Sequence, residues 1–217
     1  MDHTRDHRSL LASAERRLLI AIAARLPRGL TSDHLTLLGL CSMTMAGVAF
    51  AAIETWWGAP ALAAALLVNW FGDSLDGTVA RVRNQQRPRY GYYVDHVIDL
   101  AGAAALLGGM GASGLIAPAI AIAVLSAYLL VSAETYLATH TVGVFRLSFA
   151  RIGPTELRIL LAAGGFYVAA HPWIQIAGLR VRLLDVSGAI AIAGLVVVFI
   201  ASAIRNTRAL YLAEPLP

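Results

Sequence analysis

The sequence predicts an all-α integral membrane protein in which six transmembrane helices follow an amphipathic surface helix. Hydrophobic residues make up 58% of the chain and charged residues 14%, and the mean hydropathy is +0.68, which is more apolar than ordinary soluble domains. The apolar residues also fall into runs of about 20, the length of helix that crosses a bilayer. These runs lie near residues 33–54, 60–82, 91–113, 117–139, 155–174 and 187–207.

Two segments are predicted: residues 1–30, a cytoplasmic N-terminus with an amphipathic juxtamembrane helix, and residues 31–217, the six-helix membrane domain. The N-terminal segment mixes charges of both signs and has no apolar core of the kind found in a cleavable signal. On a helix over residues 8–26, one stripe holds Leu11, Ala14, Leu18 and Ile22. This pattern is typical of a helix on a membrane surface, although a cytosolic helix packed on the others would share it.

The basic residues indicate the topology. All 17 are arginines, and most cluster at residues 5–28, 81–89, 146–158 and 205–208. These clusters are the N-terminal side and every second connection, so they are predicted to face the cytoplasm. Arg180 and Arg182, in the last outer loop, are the exception. We expect an integral protein of a bacterial or archaeal cell membrane, with the connection of residues 81–90 on the cytoplasmic side.

Local signals mark two helix starts and one turn. Thr31 or Ser32 can cap the first span by accepting a bond from a free backbone N–H. Pro154, after Gly153, is expected to start the fifth span. The segment RVRNQQRPRY, residues 81–90, is expected to connect the second and third spans as a turn.

Four aspartates flank that turn. Asp73 and Asp76 are three residues apart and Asp95 and Asp99 are four apart, so each pair shares one helix face. Two antiparallel neighbouring helices would bring the four carboxylates together, where their mutual repulsion and lost hydration require cations. Carboxylate oxygens suit Mg²⁺ or Mn²⁺, which complete their shells with water and substrate phosphates. The sequence therefore predicts a site that two such ions can share.

Small residues lie beside these carboxylates. Gly77 is four residues after Asp73, and Ala80 is four after Asp76, so a flat ligand can approach the helix backbone there. Arg81 follows, and its guanidinium can hold phosphate oxygens. The alternative is that the aspartates merely form ion pairs with the arginines of the turn, which are Arg81, Arg83, Arg87 and Arg89.

The pattern D-x-x-D-G-x-x-A-R followed by G-x-x-x-D-x-x-x-D resembles the CDP-alcohol phosphotransferase family of membrane enzymes, class I. The matching positions are Asp73, Asp76, Gly77, Ala80, Arg81, Gly91, Asp95 and Asp99. The resemblance implies a six-helix homodimer that acts on a CDP-activated lipid and a small alcohol within membrane lipids, without nucleic acid.

The resemblance also implies roles for residues. Asp73, Asp76 and Asp95 would bind one metal ion, and Asp73, Asp95 and Asp99 the other. The CDP part of the donor would contact Gly77, Ala80 and Arg81, with Ser32 and Asp33 near the nucleotide. Asp99 would be the catalytic base that accepts the proton of the acceptor hydroxyl as CMP leaves.

Two further polar residues accompany the aspartates. Asn69 precedes Asp73 by one turn and can orient that carboxylate, or it can be a helix-packing residue. His96 points about 100° away from its neighbour Asp95 on a helix, so we expect it to support the site without acting as the base.

The substrate is less well determined by the sequence. Arg146, Arg151 and Arg158 would suit a phosphorylated acceptor, which favours CDP-diacylglycerol as the donor, although these arginines can also be anchors for lipid headgroups. The alternative enzyme is an ethanolamine or choline phosphotransferase that uses CDP-ethanolamine or CDP-choline with diacylglycerol. A divalent-cation transporter is a remote alternative, because its acidic groups would be spread through the membrane.

Overall fold

The computed structural model describes residues 4–5, 12–142, 144–145 and 153–214. Seven helices occur within these residues, namely α1 (Ala12–Arg25), α2 (Ser32–Ala51), α3 (Gly58–Val82), α4 (Pro88–Ala112), α5 (Pro118–Val142), α6 (Pro154–Ala170) and α7 (Leu183–Ala213). The short strands of the same residues are β1 (Thr4–Arg5), β2 (Val144–Phe145), β3 (Trp173–Ile176) and β4 (Leu179–Arg182). The all-α class is confirmed, and each predicted span overlaps one of the helices α2 to α7.

Among the described helices, α2, α4, α5 and α7 are long and apolar enough to cross a membrane. The helix α3 has 25 residues but carries two of the aspartates and Arg81. The helix α6 has 17 residues, which is short for a span. Four candidate spans are thus observed by length and composition, and the count of six stays a prediction.

The helix α2 lies between α3 and α4, while α5 packs on α4, α7 on α5, and α6 on α3. Glycines allow the closest approaches. A Cβ on Gly72 of α3 would lie 2.6 Å from the Leu35 carbonyl oxygen, and a Cβ on Gly109 of α4 would overlap the backbone of Gly47. Because no larger residue fits at these contacts, the glycines set the spacing between α2 and the two helices, α3 and α4, that carry the aspartates.

The main core fills the space between α2, α3, α4 and α6. Its buried side chains are Ala46, Ala49, Phe50, Ile53, Ala59, Leu62, Ala65, Leu66, Leu106, Leu115 and Val168. These residues lie away from the aspartates along α2 and α3, so the polar site occupies one end of the bundle and the apolar core lies below it.

The predicted apolar stripe of the N-terminal helix needs correction. Leu18 is 51% exposed, whereas Leu19 and Ala23, on the adjacent stripe, are buried. They form a second cluster of buried residues, which consists of Leu19, Ala23, Leu35, Leu75 and Val79. The helix α1 therefore packs on α2 and α3, as the alternative of a packed helix anticipated. The side chains of Leu11 and Ala14 lie outside the described residues, and contact with a membrane surface stays a prediction.

Two connections are held by specific hydrogen bonds. Arg83 donates to the carbonyl oxygens of Leu30 at 2.6 Å and of Leu26 at 3.0 Å, which joins the end of α3 to the α1–α2 connection. Thr31 caps α2 by accepting a bond from the His34 amide at 3.4 Å, so the first of the two predicted caps is the correct one. Pro154 starts α6 as predicted.

The strands β3 and β4 form an antiparallel hairpin between α6 and α7 that the sequence reading missed. Its turn uses Ala177 and Gly178, whose φ angles are 51° and 81°. Both residues adopt the left-handed conformation of a tight two-residue hairpin turn. The predicted apolar runs end at residue 174 and resume at residue 187, so most of the hairpin was interpreted as the last outer loop.

Candidate active site

Three aspartates come together between α3 and α4. Carboxylate oxygens of Asp73, Asp95 and Asp99 all lie within 4.8 Å of one another. Asp73 comes from the second half of α3, and the other two lie one turn apart near the start of α4. The predicted juxtaposition of the two antiparallel helices is thus observed for these three residues. Like charges at this separation repel, so the arrangement requires positive charge nearby.

Asp76, the fourth aspartate, is held by α2. Thr36 Oγ1 donates to Asp76 Oδ2 at 2.8 Å, and the amide of Gly77 also donates to the Asp76 carboxylate. Asp76 lies one helical turn from Asp73 but is not part of the three-carboxylate group. Its assignment as a metal ligand stays a prediction, and its carboxylate is oriented by Thr36 of α2 and by the Gly77 amide of its own helix.

One positive charge near the group comes from α6. Arg158 forms an ion pair with Asp73 through Nη2 and donates from Nε to Asn69 Oδ1 at 2.7 Å. Asn69 in turn donates to the Gly39 carbonyl oxygen at 3.0 Å. Asn69 therefore orients Asp73 indirectly, through the arginine, and also links α3 to α2. Arg158 was predicted for the acceptor pocket, and the structure places it directly at the carboxylates.

The segments predicted to bind the donor are neighbours. Ser32 Oγ donates to the Asp76 carbonyl oxygen at 2.9 Å, which places the start of α2 beside the part of α3 that carries Gly77, Ala80 and Arg81. A Cβ on Gly77 would lie 3.3 Å from an Arg81 guanidinium nitrogen, so the guanidinium covers this glycine. Arg81 also donates to Thr78 Oγ1 at 3.0 Å. The small residues and the arginine therefore form one surface.

At the rim of this surface, Asp33 forms an ion pair with Arg87, the residue that precedes α4. The hydrogen bond to the Asp33 carboxylate raises the pKa of the Arg87 guanidinium above its usual value. Arg83 donates to backbone carbonyl oxygens instead of carboxylates. Arg83 and Arg87 thus have partners outside the aspartate group, whereas Arg81 interacts electrostatically with Asp76.

His96 is buried against aromatic rings. Its ring stacks on Tyr92 with centroids 4.1 Å apart and meets Tyr136 edge-on at 4.6 Å. Its Nδ1 lies 3.6 Å from Asp95 Oδ2. A side chain enclosed in this way positions its neighbour more readily than it reaches a substrate, which agrees with the predicted supporting role.

The helix α5 supplies residues that the sequence reading did not identify. Tyr128 and Tyr136 both interact electrostatically with Asp99, and both lie close to Ser132. These three residues follow a helical spacing of four, with one polar group at each turn of an otherwise apolar helix. That spacing was the available signal for a polar face. It went unread because single tyrosines and serines are common in membrane helices.

Two of the three predicted acceptor arginines, Arg146 and Arg151, lie outside the described residues, so their place relative to the site stays a prediction. Thr36 is a further residue that sequence reasoning missed. Its contact with Asp76 depends on how α2 packs on α3, and a threonine within an apolar run carries no local signal for that contact.

Comparison with known proteins supports the family suggested by the sequence. Residues 30–200 match the family model described as CDP-alcohol phosphatidyltransferase. A search of curated proteins gives no significant match. The matched range includes α2 to α6 and most of α7, and therefore every described residue of the aspartate group. Because the match extends over most of its length, the chain belongs to the CDP-alcohol phosphatidyltransferase family.

Proposed function

We propose that this chain transfers a phosphatidyl group from CDP-diacylglycerol to a hydroxyl of a small phosphorylated alcohol and releases CMP. The observation that carries the proposal is the group of carboxylates of Asp73, Asp95 and Asp99 within 4.8 Å, beside the cationic Arg158, in a member of this family. Two divalent ions, Mg²⁺ or Mn²⁺, would serve each active site. The active site would face the cytoplasm, and the homodimer implied by the resemblance is part of the same proposal.

The residues fit a divalent cation. All three side chains offer carboxylate oxygens, the ligands that Mg²⁺ and Mn²⁺ prefer. Three negative charges converge on one place, and Arg158 contributes one positive charge through Asp73. This leaves an excess of negative charge that cations can offset. Asp73, Asp95 and Asp99 would hold one ion, and Asp73, Asp76 and Asp95 the other.

The donor would lie along the surface formed by Gly77, Ala80 and Arg81. Bound divalent ions would supply positive charge that stabilises the pyrophosphate oxygens when the bond from phosphorus to the CMP oxygen breaks. The Arg81 guanidinium can bind the phosphate oxygens that remain uncovered, since its planar fork matches them. Ser32 and Asp33, at the start of α2, would contact the nucleotide.

Asp99 would act as the base. The acceptor hydroxyl oxygen forms a bond to the phosphorus that carries the diacylglycerol, the bond from that phosphorus to the CMP oxygen breaks, and the hydroxyl proton passes to the Asp99 carboxylate. Asp99 is exposed while belonging to the carboxylate group, so an acceptor can reach it. Arg158, which is bonded to Asp73 through Nη2 and to Asn69 through Nε, would meet a phosphate on the acceptor with its remaining N–H donors.

The experiment that tests the function measures CMP release from purified protein with CDP-diacylglycerol, CDP-ethanolamine or CDP-choline. Each donor is offered with glycerol phosphate, inositol phosphate or diacylglycerol, with and without Mg²⁺ or Mn²⁺. We expect metal-dependent CMP release from CDP-diacylglycerol with a phosphorylated alcohol, and loss of that release in Asp73→Asn. Activity confined to CDP-choline or CDP-ethanolamine with diacylglycerol would reverse the choice of donor. Wild-type turnover of Asp73→Asn at limiting metal would overturn the metal assignment.

A further inference from the structure

A groove lies at the end of the bundle where the β3–β4 hairpin meets the start of α7. Its volume is about 720 Å³, and its lining residues are Trp173, Arg180, Val181, Arg182, Asp185, Val186, Ala189, Ile190 and Ala193. One part of the lining is cationic and aromatic, from the hairpin. The other part is aliphatic, from the first three turns of α7.

The groove is separate from the aspartate site. The helix α6 begins near the aspartates, where Arg158 contacts Asp73, and ends at Ala170 just before the hairpin. Twelve residues separate Arg158 from Ala170, which corresponds to about 18 Å along a helix axis. The groove therefore lies toward the opposite end of the bundle, and its residues take no part in the chemistry proposed above.

Two arginines at the groove stand over one indole ring. The guanidinium carbon of Arg180 is 4.9 Å from the Trp173 ring centroid and that of Arg182 is 5.7 Å from it. Within the described part of the chain, the ring is the partner found for both guanidinium groups, and neither forms an ion pair with a carboxylate. A guanidinium that contacts a ring with its face keeps its in-plane N–H donors available for an anion.

The nearby carboxylate is already engaged. Asp185 Oδ1 accepts a hydrogen bond from the Ala117 amide at 2.6 Å, which ties the start of α7 to the residue before α5. The groove thus has two arginines against one aspartate, and its net charge is positive. An anion is the ligand with complementary charge.

The aliphatic part of the groove belongs to the most apolar candidate span. The helix α7 has a mean hydropathy of 2.5 in its best window, and only 6% of that window is buried within the chain. Such a surface is expected to face lipid tails. Trp173 adds an amphipathic ring of the kind that lies at the level of lipid headgroups.

We propose that this groove binds an anionic phospholipid, with the headgroup phosphate on Arg180 and Arg182 and an acyl chain along Val186, Ala189, Ile190 and Ala193. Both parts of the ligand have a counterpart in the lining: the phosphate meets two available guanidinium groups, and the tail meets an aliphatic helix face that continues from them. The proposal also explains why Arg180 and Arg182 lie in the last outer loop, where the arginine distribution predicts no basic residues. The lipid would be bound at the end opposite the transfer reaction.

The test uses a fluorescent probe in the groove of the reconstituted full chain. Cys41, the one cysteine, is replaced by alanine, and bimane is attached at Ala193→Cys. Each vesicle contains unlabelled phosphatidylcholine and one lipid with brominated acyl chains, because bromine quenches bimane on contact. The brominated lipid is either phosphatidylglycerol or phosphatidylcholine, at the same mole fraction. We expect brominated phosphatidylglycerol to quench this probe at least about threefold more than brominated phosphatidylcholine does.

Two controls make the result specific to the groove. In the double variant Arg180→Gln/Arg182→Gln, the ratio of quenching by brominated phosphatidylglycerol to quenching by brominated phosphatidylcholine at the Ala193 probe should fall to about one. A probe at Ile200→Cys, two turns further along the same exposed face of α7, should show no preference with or without the arginines.

The proposal is overturned if both brominated lipids quench the Ala193 probe equally, or if the preference survives the double substitution. It is also overturned if neither lipid quenches that probe while both quench the Ile200 probe. The last result would mean that a second copy of the chain covers the groove.

Discussion

The two ends of the helix bundle use charged residues in different ways. At the aspartate end, charges are tied to neighbouring helices: Arg158 of α6 contacts Asp73 and Asn69 of α3, and Thr36 of α2 contacts Asp76. At the hairpin end, Arg180 and Arg182 contact one ring, and the first is exposed while the second is half-buried. Polar groups that share hydrogen bonds across helices hold a fixed geometry, which a reaction requires. Arginines at a surface can adapt to a lipid headgroup.

The helices α3 and α7 show the same difference. The helix α3 buries Asn69 and Thr78 together with glycine and leucine, so its polar residues are part of the packing. In α7, the buried residues are Gly188 and Ser202, and every large apolar side chain is exposed or half-buried. A helix that carries chemistry is thus enclosed by its neighbours, whereas the most apolar helix is left to face lipid.

The largest effect is expected from Asp99→Asn at the aspartate end. Asparagine keeps the shape of the side chain but cannot accept the hydroxyl proton, so CMP release should fall by at least about 10²-fold. Affinity for the CDP-lipid should be retained, since Asp73, Asp76, Asp95 and Arg81 remain. Both quantities are measured at saturating metal by a CMP assay and by binding of the labelled donor.

His96→Ala is the matched comparison for that variant, because His96 lies on the same helix and beside Asp95. Its effect should be much milder, since its ring packs between Tyr92 and Tyr136. A near-normal rate for Asp99→Asn together with an inactive His96→Ala would move the base to the histidine.

A second, smaller effect is expected from Gly109→Leu in the shared core between the two ends. A Cβ at Gly109 overlaps the Gly47 backbone, whereas a Cβ on Gly108 meets nothing within 4 Å. We expect Gly109→Leu to destabilise the fold by about 1–3 kcal/mol or more, in line with overpacking of a close contact. Thermal unfolding in detergent, followed by tryptophan fluorescence, measures this loss.

Gly108→Leu is the control, because it adds the same side chain one residue away, where the chain leaves space. Its melting temperature should equal that of the wild type. Equal destabilisation by both substitutions would mean that helix geometry, and not the α2–α4 contact, limits residue size here. A change of oligomeric state in Gly108→Leu alone would instead identify this face of α4 as an interface between copies.

The smallest effect is expected from Thr36→Val, which removes the hydroxyl that donates to Asp76. Loss of a hydrogen bond that orients a metal ligand typically weakens metal binding by about 10-fold or more. We expect the Mg²⁺ or Mn²⁺ concentration for half-maximal CMP release to rise by about that factor. The rate of CMP release at saturating metal should change less.

Thr44→Val serves as the control on the same helix. Its hydroxyl donates to the Leu40 carbonyl oxygen at 3.0 Å within α2 and has no contact with the site. It should leave the metal dependence unchanged. An unchanged metal dependence in Thr36→Val as well would mean that Asp76 is not a metal ligand, and the carboxylates of Asp73, Asp95 and Asp99 would then be the metal set.

Much of the site was predictable because it depends on the spacing of residues along single helices. Asp73 and Asp76 at three residues, and Asp95 and Asp99 at four, share helix faces whatever the rest of the chain does. The helix starts at Thr31 and Pro154 are likewise local, since a cap involves neighbouring residues. The family follows from the same spacing, and the match over residues 30–200 confirms it.

The contacts between helices were not predictable in this way. Arg158 is 85 residues from Asp73, and Thr36 is 40 from Asp76, so no local pattern relates the two members of either pair. The stripe that α1 buries is a similar case. Leu18 and Leu19 lie on adjacent apolar stripes of α1, and only packing on α3 shows that Leu19 is the buried residue of the two.

The sequence by itself determined the class of the protein, its family and the two pairs of aspartates that share helix faces, because apolar length and residue spacing on one helix are local properties. Only the tertiary structure decided which arginine meets Asp73, which hydroxyl orients Asp76 and where a groove opens beside the hairpin. These depend on how helices approach one another. For α2, α3 and α4, the approach requires the absence of a side chain at Gly47, Gly72 and Gly109, which come from distant parts of the chain.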